Sequence, residues 1–281
     1  MQTTRVLTSL VRLTRFWNLV IIAVSQYFTV YFLVDPKLIT DWRLLVLAAS
    51  TVMIAAGGYV INDYYDVKID LINKPQRVVI GSSIPRRLAL LLHSFLSITG
   101  TLAGFLLKWE IAAINFISAF LLWWYSNSLK RQPFVGNLSI AFLTALAIFV
   151  IPFLYPQANI VYVMIYGMFA FFATLLREII KDIEDLKGDD TFGCRTLPIV
   201  WGLRRTKNLI YLLAAAFVIV VLAIHLKVDP LPMRYFTVFL FAPMAWLVIQ
   251  LVRADTRKDF SRLSIVCKVI MLLGVFSMAL V

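Results

Sequence analysis

Long runs of apolar residues recur along the whole chain, separated by short polar stretches. A run of roughly 18 or more such residues crosses the hydrocarbon layer of a bilayer as a helix. Nine candidate spans follow, at 16–34, 43–61, 88–107, 111–128, 138–155, 160–178, 208–226, 234–252 and 263–281. The expected fold class is all-α: a polytopic membrane protein of about nine transmembrane helices, with residues 1–281 forming a single transmembrane domain. The chain is 61% hydrophobic and 15% charged, too little charge to cover a soluble domain of this length. The first run, Trp17 to Val34, follows Arg5, Arg12 and Arg15 and lacks a small-residue cleavage site. It reads as a retained helix rather than a leader. Pro152 and Pro243 interrupt two spans, which is tolerable where neighbours resupply the lost backbone bond.

The net charge of +12 would suggest a nucleic-acid partner on a soluble protein. Here the positive charges sit between spans, which favours the membrane reading and no nucleic acid. Alternating the spans puts 22 of the 27 Lys and Arg residues on one side. Lys37, Arg43, Lys108, Lys227 and Arg234 fall on the other. Lys- and Arg-rich loops face the cytoplasm, so the N-terminus and the two long charged segments, 62–87 and 177–207, are expected there. Cys194 and Cys267 match no metal spacing, and His93 and His225 stand alone.

Each long charged segment opens with the same pattern, D-x-x-D-x-x-x-D. The first is Asp63, Asp66 and Asp70; the second is Asp182, Asp185 and Asp189, offset by 119 residues at all three positions. The clusters follow the second and sixth spans, as in a parallel internal repeat four helices long. On a helix, positions i, i+3 and i+7 share one face. Two facing trios concentrate carboxylates that persist together only if cations neutralise them. All-oxygen donors favour a hard cation, and Mg2+ binds one or two carboxylates while bridging substrate phosphates. The expectation is therefore Mg2+ on Asp63, Asp66, Asp70, Asp182, Asp185 and Asp189, gripping a diphosphate and stabilising it as a leaving group. The plain alternative is solvated charge at helix ends. Two clusters at one spacing, both at the edge of apolar spans, argue against that. Glu178, one turn before Asp182, either extends this face or pairs with Arg177 or Lys181.

Lys74, Arg77, Lys130, Arg131, Lys181 and Arg195 accompany the acids and suit an anionic substrate. Basic residues at cytoplasmic ends are also expected from topology alone. Trp123, Trp124, Tyr125 and the aromatics from Phe169 to Phe172 either line an isoprenoid pocket or face lipid.

With these residues in view, the chain resembles the UbiA superfamily of intramembrane prenyltransferases. The resemblance covers nearly the whole chain. It rests on N-D-x-x-D-x-x-x-D from Asn62 to Asp70, on D-x-x-D-x-x-x-D from Asp182 to Asp189, and on Tyr125-Ser126-Asn127-Ser128-Leu129-Lys130, followed by Arg131 and Gly136-Asn137. It implies helices around a central cavity and acids that bind Mg2+ and a prenyl diphosphate. It also implies that Tyr125 and Lys130 line the diphosphate site. Arg15 and Asn18 fall where the family often carries Arg and Asn near its first helix. Arg177 to Asp185, Gly188-Asp189, Thr196-Leu197-Pro198 and Asn73 to Arg77 are similar to the digeranylgeranylglyceryl phosphate synthase branch. That branch transfers a geranylgeranyl group to the hydroxyl of geranylgeranylglyceryl phosphate. Two departures bear on the acceptor: Val78-Val79-Ile80-Gly81 replaces a proline-rich stretch, and Asp190 stands where Arg is usual.

The expected activity is Mg2+-dependent transfer of a polyprenyl group to a lipid acceptor, forming an ether and releasing diphosphate. Catalysis is expected from Asp63, Asp66, Asp182, Asp185, Lys130 and Tyr125. Substrate contacts are expected from Asn62, Arg77, Lys74, Lys181, Arg131, Asn18 and Arg15. The rivals are an aromatic or quinone-precursor acceptor on the same fold and, from another class, a cation-binding transporter.

Overall fold

The computed structural model describes residues 2–226 and 236–280. Lys227, Arg234 and the start of the span expected at 234–252 lie outside the described residues, as do the side chains of residues 2–7, Arg77 and His225. Helices make up nearly all of the rest. In chain order they are α1 Gln2–Leu13, α2 Phe16–Leu33, α3 Trp42–Asn73, α4 Arg86–Phe105, α5 Trp109–Asn127, α6 Val135–Phe149, α7 Ile151–Leu154, α8 Ile160–Thr191 and α9 Leu197–His225. A π-helical turn at Thr237–Phe241 then leads into α10, Ala242–Arg253, and α11, Arg257–Ser277, follows.

Local chemistry sets the helix ends. Asp41 caps α3 by accepting from Arg43 N at 2.9 Å, and Asn159 caps α8 by accepting from Val161 N at 3.2 Å. Thr256 and Asp259 form a reciprocal capping box at α11. Each satisfies backbone donors that a helix start leaves unpaired. Pro152 and Pro243 sit within the first two positions of α7 and α10, where a missing N–H costs least.

Among the described residues, seven helical segments are long and apolar enough to cross a membrane: 16–33, 42–73, 86–105, 135–154, 160–191, 197–224 and 257–280. The expected count of nine is not reproduced on that basis. The described part of the span expected at 234–252, Thr237–Arg253, is shorter than 18 residues, and α5 carries Glu110, Asn115 and Ser118 within its 19 residues. The outward faces fit a lipid setting. On α4, Leu91, Phe95, Leu102 and Phe105 are all exposed, a display that water would penalise.

Helices α3 and α8, each 32 residues long, are the most buried of the spans. Helix α3 packs on α4 and α5, and α8 on α6, α9 and α11, with α3 and α8 also touching each other. The expected spans stopped at 61 and 178, but both helices run on without a break to Asn73 and Thr191. The aspartates therefore stand on helix, not in loops.

Candidate active site

The acid-bearing ends of α3 and α8 are locked together by Asn73, which is buried. Its Nδ2 donates to the Asp185 carbonyl at 3.1 Å, and its Oδ1 accepts from Gly188 N at 3.1 Å. A Cβ at position 188 would lie 2.3 Å from Asn73 Nδ2, so glycine is what permits the approach. Arg257 holds the same corner from α11 by donating to the Asn73 carbonyl at 2.7 Å.

Four of the six aspartates are matched to a donor from a different helix or turn. Arg15 Nη2 donates to Asp63 Oδ1 at 2.9 Å. Lys130 is ion-paired with Asp66, which also accepts from Asn62 Nδ2 at 2.9 Å. Asn137, buried on α6, donates to Asp182 Oδ2 at 2.8 Å. Lys74 Nζ lies 2.8 Å from Asp185 Oδ1 and 2.9 Å from Oδ2. Only the second contact has hydrogen-bond geometry, so Oδ1 is a buried acceptor with no donor. Lys74 also lies 3.5 Å from Glu184, which is therefore not simply solvated. Asp189 is within electrostatic reach of Asp66 and Lys130, and Asp70 of Asp66 and Lys181. The two trios thus share one region. Among the described residues no three His, Cys, Asp or Glu side chains converge closely enough to cage a metal by themselves.

The supporting residues are placed by specific backbone features. Arg15 joins α1 to α2 in the left-handed conformation, φ 52°, uncommon for a side chain of its size. Its guanidinium lies 4.8 Å from the Tyr59 ring centroid. Desolvation opposes its charge, but Asp63, Tyr59 and Glu178 together more than offset this and hold Arg15 above its ordinary pKa. Lys130 sits on a 3-10 turn, Leu129–Arg131, tucked against α6. A Cβ at Gly136 would lie 2.8 Å from the Lys130 Cα. Its neighbour Arg131 is exposed and lines a separate surface recess with Arg195, so those two are not brought to the acids. Arg77 ends the turn Pro75–Arg77, and its side chain lies outside the described residues. Glu178 is buried and paired with Arg177, with Lys181 Nζ 3.7 Å from its Oε2. Of the two readings of Glu178, pairing is what is seen. Burial pushes the Cys194 thiol up, and Cys267 is also buried, in keeping with inert packing.

Beside the acids lies a cavity of about 240 Å³. Arg15 and Asn62, the direct partners of Asp63 and Asp66, are in its wall, as are Asn18, Tyr59, Tyr125 and Lys181. Asn18 Nδ2 donates to the Tyr59 hydroxyl at 3.3 Å. Away from that polar end the wall is apolar, with Ile54, Leu122, Leu143, Phe169, Ala170 and Met271 among its residues. Trp123 and Trp124 are not in the wall and are exposed, which fits a lipid contact.

Several site residues escaped the sequence reading. Asn73, Asn137, Tyr59, Thr174 and Lys268 carry no charge pattern that separates them from ordinary packing or topology residues. Asn73 and Asn137 stood within the motifs that carry the resemblance, without a role assigned there, and that membership was the one available signal.

These features define a class: a polytopic helical membrane protein with paired carboxylate helices at the polar end of an apolar chamber. The chain belongs to the UbiA prenyltransferase family, whose model matches residues 22–274. It is 32% identical over 257 residues to a digeranylgeranylglyceryl phosphate synthase of Saccharolobus solfataricus, covering 89% of this chain and 88% of the relative. A solved structure described for digeranylgeranylglyceryl phosphate synthase in membranes superposes with a TM-score of 0.73 at 23% identity, covering 98% of both chains. A UbiA homologue from Archaeoglobus fulgidus, solved with DMAPP and Mg2+, gives 0.71 at 16% identity, covering 97% of this chain and 100% of that one. As a member of the family, the chain is an integral membrane enzyme of prenyl transfer.

Proposed function

We propose that this protein transfers a geranylgeranyl group from its diphosphate to the hydroxyl of geranylgeranylglyceryl phosphate. The observation that carries the reading is the position of the two aspartate trios, side by side at the polar end of an otherwise apolar chamber. The similarity to the Saccharolobus solfataricus synthase supports the acceptor.

The residues fit a divalent cation of the Mg2+ type. Their donors are hard carboxylate oxygens, and Asp185 Oδ1 is a buried acceptor without a donor. Mg2+ needs only one or two protein carboxylates when substrate phosphates and water complete its shell, so a three-acid cage is not required. Asp63, Asp66, Asp182 and Asp185 would hold it, with Asp70 and Asp189 flanking. Bound there, it would neutralise charge on a diphosphate as that group leaves.

The chain's own residues account for the rest. Lys130, Lys74 and Lys181 place positive charge around the acids, where the diphosphate oxygens gain negative charge as the C1–O bond breaks. Tyr125 lines the chamber within electrostatic reach of Asp66, Asp182 and Glu178 and borders the allylic carbon. The apolar wall takes the isoprenoid tail and excludes water from the developing cation. The acceptor hydroxyl oxygen bonds to C1 and its proton passes to solvent. The acid ends and the N-terminus face the cytoplasm, since the Lys- and Arg-rich ends of α3, α8 and α11 lie on that side.

The test is mass spectrometry of products from purified protein, Mg2+, a panel of prenyl diphosphates and competing acceptors. The expected product is the diether phosphate. Products formed only with aromatic acceptors would overturn the acceptor, and ion flux without diphosphate release would overturn the enzyme reading.

A further inference from the structure

Arg131 and Arg195, which the site at the aspartates does not use, come together elsewhere. Arg195 N donates to the Arg131 carbonyl at 2.8 Å, so the turn Leu129–Arg131 is tied to the link between α8 and α9. The two side chains line a surface recess of about 510 Å³ with Gln132, Pro133, Val135 and Val200. No carboxylate stands among these wall residues. Among the described residues neither guanidinium makes a hydrogen bond or an ion pair. A lone exposed arginine is ordinarily matched by water. Two that share one concave wall concentrate positive potential instead.

The recess also has a definite place relative to the bilayer. Val135 opens α6, and Val200 lies in the first turn of α9, so the recess sits where two membrane-crossing segments begin. It is at the aspartate end, since Lys130, next to Arg131, is ion-paired with Asp66. Both valines are exposed, as are Trp201 beside Val200 and Trp124 in the last turn of α5. Exposed Trp at helix ends marks the level of the lipid headgroups. The rim is therefore apolar where the lining is cationic.

We propose that this recess binds an anionic membrane phospholipid. Its phosphate lies between the Arg131 and Arg195 guanidinium groups, and its chains run past Val135 and Val200. Guanidinium groups grip phosphate oxygens through paired N–H donors, and basic pockets between spans seat acidic headgroups. A zwitterionic lipid offers the same phosphate but brings a cation towards two others. A free phosphate ester has no chain for the valines to meet.

The test counts lipid bound to the full-length protein in detergent by native mass spectrometry, with phosphatidylglycerol and phosphatidylcholine as probes. Wild type is expected to bind phosphatidylglycerol at least about ten-fold more tightly. Arg131→Gln and Arg195→Gln should each raise that Kd about five-fold, and the double variant about thirty-fold. Lys37→Gln, the same charge change on an exposed residue before the opposite end of α3, should leave it in place. Glycerophosphoglycerol, the headgroup without chains, should not displace the lipid at equal concentration. Equal wild-type affinity for the two lipids, wild-type binding by the double variant, or an equal loss in Lys37→Gln overturns the site. So does glycerophosphoglycerol binding as tightly as the lipid. If the arginine variants instead raise the KM for prenyl diphosphate with lipid selectivity unchanged, the recess serves the substrate and the proposal fails.

Discussion

Asn73 holds α8 with both ends of its amide, donating to the Asp185 carbonyl and accepting from Gly188 N, each at 3.1 Å. This bond pair sets the distance between the two acid trios. Asn73→Ala is expected to lower stability by about 1–3 kcal/mol, the cost of losing buried hydrogen bonds, and to reduce kcat because Asp185 loses its register against α3. Gly188→Ala should do the same from the other side, since the added methyl meets the Asn73 side chain. Thermal unfolding in detergent, paired with steady-state rates, checks both. An Asn73→Ala protein with wild-type melting and wild-type kcat would refute the role.

Lys130 is the charge closest to Asp66. Lys130→Met leaves that carboxylate with Asn62 alone and removes a cation from the leaving group. A kcat loss of about 10²–10³-fold is expected, the range for deleting one preorganised electrostatic donor. Lys130→Arg should retain more activity than Lys130→Met. Rates at saturating concentrations of both substrates decide the point, and equal kcat for Lys130→Met and wild type would count against it.

The membrane fold and the acids were readable because each leaves a periodic trace. Apolar runs reveal spans, and equal spacing of Asp63, Asp66 and Asp70 with Asp182, Asp185 and Asp189 reveals a repeat. The trace failed where polar and apolar signals mix. Helices α3 and α8 outrun their apolar stretches because helix geometry persists beyond the lipid. Arg131 and Lys130 are neighbours in sequence, yet a 3-10 turn sends them apart. Asn73 and Gly188 meet across 115 positions of chain, a proximity no local pattern encodes.

Asp185 Oδ1 has no hydrogen-bond donor. If it is a ligand for Mg2+, Asp185→Asn should raise the Mg2+ concentration for half-maximal rate by about ten-fold or more, with a smaller change in maximal rate at saturating Mg2+. Chelation should silence wild type, and added Mg2+ should revive it. A metal titration of Asp185→Asn that overlays wild type would exclude the oxygen as a ligand.

Ala170 lies in the apolar part of the chamber, eleven residues from Lys181 along α8 and so ~16 Å deeper. Ala170→Trp should fill that depth. Transfer of a geranyl group is expected to survive while transfer of a geranylgeranyl group falls at least about ten-fold, since overpacking costs 1–3 kcal/mol. Competition between the two diphosphates in one reaction, read by product mass, measures the shift. An unchanged product ratio would place the tail elsewhere.

Helices α3 and α8 are each 32 residues long, ~48 Å of helix against a hydrocarbon layer of ~30 Å. Their apolar parts occupy the layer, so the surplus emerges at the aspartate end, where oil gives way to water. For the proposed reaction this location sorts the two products into different phases. Diphosphate, multiply charged, departs into the aqueous side, while the ether remains dissolved in the bilayer. Reversal would require both to return to one boundary at once, so partition itself gives the chemistry its direction.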